Sequence, residues 1–259
     1  MAGQPLSIGA SAGERIGLMI AALGATQIIG YGTLYYSYSI LAPAVATELA
    51  WSEQWVFGIL SVSLLAGALL APLAGHWADR FGAGRLMVPG SLAAALALLV
   101  CALAPGRIGF AIGVLAMELS SCFVLYSTAF VAIVQIGGKD AQRSIVHLTL
   151  IAGFASTLFW PLTTFLMEHL SWREVLVVFA ALNVVVCLPI HAWLASLARK
   201  SMTPSAPVAA DLPVAITGAK RPRRSPIFWL MLAGFAFEGF VLSAILVQKV
   251  PQTVAVGLG

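Results

Sequence analysis

The chain has 259 residues, of which 60% are hydrophobic and only 9% charged, with a net charge of +4. A soluble domain averages about 45–50% apolar and about 25% charged residues, so this composition calls for lipid as its solvent. The basic residues sit in short loops between apolar runs instead of along one face, which argues against nucleic-acid binding.

A hydrocarbon core of about 30 Å takes about 20 apolar residues as a helix. Seven stretches qualify: 16–47, 54–77, 86–104, 108–136, 145–167, 174–197 and 226–248. The first run is too long for a cleavable signal peptide, and no small-residue cleavage site follows it closely. Within it Gln27, Tyr31, Tyr35 and Tyr38 follow i, i+4, i+8, i+11 and share one face of a regular helix. An amide and three hydroxyls facing lipid would lack partners, so this stripe is expected to face the bundle interior. There it serves either as a cavity wall that contacts solute or as a set of helix–helix hydrogen bonds.

Ser52-Glu53-Gln54 opens the second span. Its Gly67, Ala71 and Gly75 recur at i, i+4, i+8 and would let a neighbouring helix pack close, with Asp79 continuing the row. The second and third spans are joined by Gly75-His76-Trp77-Ala78-Asp79-Arg80-Phe81-Gly82-Ala83-Gly84-Arg85, read here as a short polar loop whose Asp79, Arg80 and Arg85 form a charge cluster. Pro105-Gly106-Arg107 separates the third and fourth spans. The fourth holds Glu118, with Ser121, Cys122 and Tyr126 on or beside its face. A carboxyl within a span is a functional-site candidate by default, either as a coupling-proton carrier or as a group high enough to reach interfacial water.

His147 lies one turn into the fifth span, just after Arg143. It is placed either to titrate near neutral pH or to hydrogen-bond a neighbour near the surface. Ser171-Trp172-Arg173-Glu174 opens the sixth span, which carries Asn183, and Glu238 is a similar single polar residue in the seventh. Cys101, Cys122 and Cys187 fall inside apolar runs without metal-ligand spacing, so they read as small buried hydrophobes. No metal, cofactor, disulfide framework or catalytic motif such as H-E-x-x-H or G-x-S-x-G is legible, and an enzyme is not expected.

Charge placement sets the expected topology. With the N-terminus in the cytoplasm, Arg15, Arg80, Arg85, Lys139, Arg143, Arg199, Lys200, Lys220, Arg221, Arg223 and Arg224 lie inside, and Arg107, Arg173 and Lys249 outside. Eleven against three is a strong positive-inside bias. Trp51, Trp55, Trp77, Trp172 and Trp229 sit at or near span ends, where an amphipathic ring is favoured. Residues 201–225 are rich in Pro, Ala and Ser and end in Lys220-Arg221-Pro222-Arg223-Arg224, as a flexible basic linker along an anionic inner leaflet would.

The pattern G-x-x-x-D-R-x-G-x-x-R at Gly75–Arg85, with six spans, a basic linker and a further span, resembles the major facilitator transporters. The resemblance implies an all-α membrane protein: residues 1–199 as a six-helix bundle of two inverted three-helix repeats, 200–225 as a cytoplasmic linker, and 226–259 as the first helix of a second bundle. It implies a secondary transporter in the plasma membrane, the inner membrane of a bacterium, moving a small solute by alternating access with ion coupling. In such proteins the aspartate that Asp79 matches latches the two halves together, which makes Gly75, Asp79, Arg80, Gly82 and Arg85 a gating motif and brings Glu238 in from the opposite half. The match departs from the usual pattern in having Ala83 and Gly84 before Arg85, a thinner charge cluster. The fifth span reads Gly153-Phe154-Ala155-Ser156-Thr157-Leu158-Phe159-Trp160-Pro161 and lacks the proline–glycine signature of many antiporters. Tyr31-Gly32-Thr33-Leu34-Tyr35-Tyr36 and Trp172-Arg173 resemble, more loosely, the bacterial monocarboxylate and oxalate–formate branch, which implies an organic acid as solute and a proton as coupling ion. A family member of normal layout needs five helices beyond the seventh, so the 259 residues are expected to be a fragment, or a membrane protein without transport of its own.

Overall fold

The computed structural model describes residues 12–137 and 141–201, together with Pro226, Trp229, Leu230, Ala233, Gly234 and Phe237, all six of them helical. Lys139, the linker cluster from Lys220 to Arg224, most of the seventh span and Glu238 lie outside the described residues. The chain divides into two units, Met1–Thr203 and Pro204–Gly259.

The described part of the first unit holds six helices long and apolar enough to cross a membrane: α1 (Ile16–Glu48), α2 (Glu53–Phe81), α3 (Ala83–Leu103), α4 (Arg107–Ile136), α5 (Ala141–Met167) and α6 (Trp172–Leu197). Their starts follow local chemistry. The Ser52 hydroxyl accepts from the Trp55 N–H, and Ser171 with Glu174 forms a complete capping box. Both satisfy amides that the first turn of a helix leaves without partners.

One sequence expectation is corrected at the junction of α2 and α3. The stretch from Gly75 to Arg85 is not a loop: α2 runs through Phe81, α3 starts at Ala83, and Gly82 alone makes the turn. Gly82 takes a φ of 90°, which a side chain would oppose. Polar residues do not break a helix whose backbone bonds are intact, so His76, Asp79 and Arg80 simply ride on its last turns.

The helix contacts have the symmetry of two exchanged triplets. Helix α1 lies against α5, α4 lies against α2, and α3 packs on α6 between them. Of the small-residue row in α2, Gly67 packs on α4, where a Cβ would make ordinary contact at 3.4 Å from the Glu118 carbonyl oxygen. At Gly75 nothing lies within 4 Å of the would-be Cβ.

Two apolar clusters fill the bundle. One gathers Leu41, Val56, Phe110, Trp172 and Phe179. The other gathers Met19, Met87, Ile133, Leu148 and Leu194. Along α1 and α6 the stretches between the two clusters carry Gln27, Thr33 and Asn183, and α4 carries Glu118 next to Met117 of the first cluster; together they make a polar waist. The three cysteines are free and buried.

The end of the bundle at Arg173 is stitched by side chains. Arg173 pairs with Glu48 at 2.8 Å and donates to the carbonyls of Ala102 and Ala104, tying α6 to α1 and α3. The Trp172 indole N–H donates to the other Glu48 oxygen. Trp172 is thus a buried core residue, only 3% exposed, and not an interfacial ring as its position at a span end predicts. Arg107 donates to the Leu49 and Ala50 carbonyls in the link between α1 and α2, where Ala50 takes a left-handed φ of 49°.

Candidate functional site

The waist is where the helices depart from regularity, and each departure has a named compensation. In α1, residues Gly32–Tyr36 form a π-turn, and in α6, residues Asn183–Cys187 form another. The two are joined side chain to side chain: the Asn183 amide donates to the Thr33 hydroxyl at 3.0 Å and to the Phe179 carbonyl at 2.9 Å. Thr33 in turn donates to the Ile29 carbonyl. Thr33 and Asn183 are both buried, so these bonds give partners to polar groups that water does not reach.

Helix α4 is interrupted outright between Ser121 and Tyr126. The Cys122 carbonyl, freed from its helical partner, accepts from the hydroxyls of Ser127 and Thr128. The Val124 carbonyl accepts from the Gln27 amide of α1 at 2.8 Å. Gln27 therefore supplies a helix–helix hydrogen bond, the second of its two sequence readings. It is fully buried, and its own carbonyl oxygen has no partner.

The π-turn also redistributes the tyrosine stripe. One extra residue in a turn rotates everything beyond it by about 100°. Tyr38 consequently leaves the shared face, is buried in the core, and donates to the Val56 carbonyl of α2. Tyr31 and Tyr35 stay on the face and line a cavity of about 340 Å³ with Gly67 and Ala71 of α2 and Glu118 and Tyr126 of α4. The rings of Tyr31 and Tyr126 meet at 4.7 Å.

Glu118 is the one acidic side chain among the described residues lining this cavity. It is 4% exposed, and one of its carboxyl oxygens makes no hydrogen bond. The break in α4 follows it by three residues.

Other candidates stand apart from the cavity. Asp79, Arg80 and Arg85 are exposed around the Gly82 turn and make no ion pair with one another, so the expected charge cluster is not formed. Arg80 lies over the Phe81 ring instead. What holds the turn is neutral: the Gln135 side chain of α4 accepts from the Ala83 N–H and donates to the Ala78 carbonyl, both at 3.0 Å. His147 is exposed on α5.

Sequence reasoning passed over Gln135 and a second buried pair, His191 of α6 with Ser91 of α3 at 2.6 Å. Both were visible as isolated polar residues inside apolar spans, the same signal that picked out Glu118 and Asn183. Among the described residues no group of His, Cys, Asp and Glu is placed to hold a metal ion.

Residues 12–258 match the model of the Major Facilitator Superfamily. No curated protein and no solved structure matches the chain. The six apolar helices, their exchanged-triplet packing and the extent of that match make it a multi-pass membrane protein of a class that transports small solutes. The chain belongs to the Major Facilitator Superfamily.

Proposed function

We propose that the protein is a secondary active transporter, working by alternating access and coupled to an ion, with the proton carried by Glu118. The observation that carries this reading is a buried carboxyl with an unpartnered oxygen in the wall of a cavity at the waist. A carboxylate with an open acceptor site in low dielectric is a poor resident and a good waypoint, since a proton or a bound cation supplies what it lacks. The broken and widened helices around it support the reading, because irregular backbone within a span is tolerated where it is buried in protein or lines a cavity.

The remaining parts rest on sequence and family likeness. Eleven inside against three outside basic residues favour a plasma membrane protein, the inner membrane in a bacterium, with its N-terminus and the 200–225 linker in the cytoplasm. Asp79, exposed at a turn whose geometry Gln135 maintains without it, is free to latch onto a helix outside the six, with Arg80 and Arg85 beside it. Tyr31, Tyr35 and Tyr126 form the solute wall, and Gln27 and Tyr38 hold it in place. An organic acid as solute has only the loose branch likeness behind it.

Reconstitution of the complete protein in proteoliposomes tests the proposal. A pH gradient should drive accumulation of at least one solute in a panel of organic acids, sugars and amines, and Glu118→Gln should abolish the gradient-driven component. Accumulation in E118Q equal to wild type would remove the proton role, and failure of every solute would remove the transporter reading.

A further inference from the structure

The charge of the solute is constrained by the same wall. We propose that the cavity binds an organic cation, its positive centre held between the Glu118 carboxylate and the ring faces of Tyr31, Tyr35 and Tyr126. This rests on the cavity being the solute path and adds the class of solute to it.

Three observations converge. First, the free Glu118 oxygen has no donor from the protein, and the described residues lining the cavity include no Lys, Arg or His. The missing positive charge therefore has to arrive with the ligand or as a proton. Second, the wall is aromatic where it is not aliphatic. Tyr31 and Tyr126 stand 4.7 Å apart and tilted by 50°, and Tyr35 leans edge-on to Tyr36 at 5.3 Å. Tyrosine faces carry negative potential, and rings beside a carboxylate are the arrangement that recognises alkylammonium groups. Third, the short polar side chains offer an anion little. The Ser121 hydroxyl donates to the Glu118 backbone carbonyl at 2.7 Å, the Ser127 hydroxyl to Cys122 O, and the Cys122 thiol to Gly67 O. An organic anion would meet a like charge with no cation on this wall to offset it.

Leu34, Leu64 and Leu125 of the same wall are available to the carbon skeleton of the solute.

Equilibrium binding to the purified, reconstituted chain decides the matter with three probes of similar shape: choline, its uncharged carbon isostere 3,3-dimethylbutanol, and isobutyrate. Choline should bind about tenfold or more tightly than either of the others. Glu118→Gln should weaken choline by at least as much, and Glu118→Asp should restore part of it. Tyr126→Phe should keep most of the affinity and Tyr126→Leu should lose it, with unchanged thermal unfolding certifying each variant. Equal binding of the isostere or of isobutyrate, unaltered choline binding in E118Q, or no choline binding at all would overturn the assignment. Counterflow separates the two readings: isobutyrate carried by a protein that does not bind choline leaves the transporter reading standing and ends this one. Choline bound with this dependence on Glu118 and Tyr126, while no solute of the panel is carried, keeps the cation site and ends the transporter reading.

Discussion

The two ends of the six-helix bundle solve the same problem with opposite chemistry. At the Arg173 end, charges are consumed in holding helices together: Arg173 ties Glu48 of α1 to the last carbonyls of α3, and Arg107 ties the link between α1 and α2 to α4. At the Gly82 end the clamp is the uncharged Gln135, and Asp79, Arg80 and Arg85 are left exposed around it. Charged residues of the same types are structural fasteners at one end and unengaged surface groups at the other. What separates them is whether carbonyls and a carboxylate lie within reach.

Substitutions can break or sharpen this contrast. The largest effect is expected for Arg173→Ala, which leaves Glu48 with the Trp172 indole alone and two carbonyls open; hydrogen bonds to charged groups contribute about 1.5–3 kcal/mol each, reduced here by partial exposure, so a loss of about 3 kcal/mol is expected in denaturant titrations in detergent. Gly82→Ala forces a side chain into a backbone region that opposes it and should cost about 1–3 kcal/mol by the same measurement. Gln135→Leu, which removes one donor and one acceptor from the turn, should cost about 1–2 kcal/mol. Asp79→Asn and Arg85→Ala should each stay within about 0.5 kcal/mol of wild type, as for surface positions without partners. If Arg173→Ala proves as mild as Asp79→Asn, the distinction between a fastened end and an open end is wrong. If Asp79→Asn leaves stability untouched but stops solute movement in vesicles, the latch proposed for Asp79 is supported.

Much of the architecture was legible in the chain. The ends of the six described helices fall within a few residues of the hydropathy limits, the end of α2 and the start of α5 lying furthest from them, and Ser52 and Ser171 act as the caps their positions announced. The error at α2 has a simple cause: hydropathy reports where lipid stops, and a helix does not have to stop there. The candidate site was half legible. Tyr31, Tyr35, Glu118 and Tyr126 do share one cavity, but Tyr38 was assigned to it on the assumption of an unbroken 3.6-residue period. Nothing in Gly32-Thr33-Leu34-Tyr35-Tyr36 announces a π-turn. It is accommodated because Gly32 offers no side chain to the Phe159 ring packed against it and because Asn183, 150 residues away, holds Thr33.

The sequence by itself determined the solvent, the number and order of the described helices, their caps and the family, because these depend on composition and on signals within a turn or two of each other. Which polar residues face the cavity, and which are engaged in holding it open, was decided only by the tertiary structure. The direction of a side chain on a helix depends on every backbone bond before it. The breaks in the pattern of α1, α4 and α6 are sustained by partners on other helices: Gln27 on Val124 and Asn183 on Thr33. Such pairings have no local signature, and they place Glu118 beside the tyrosines.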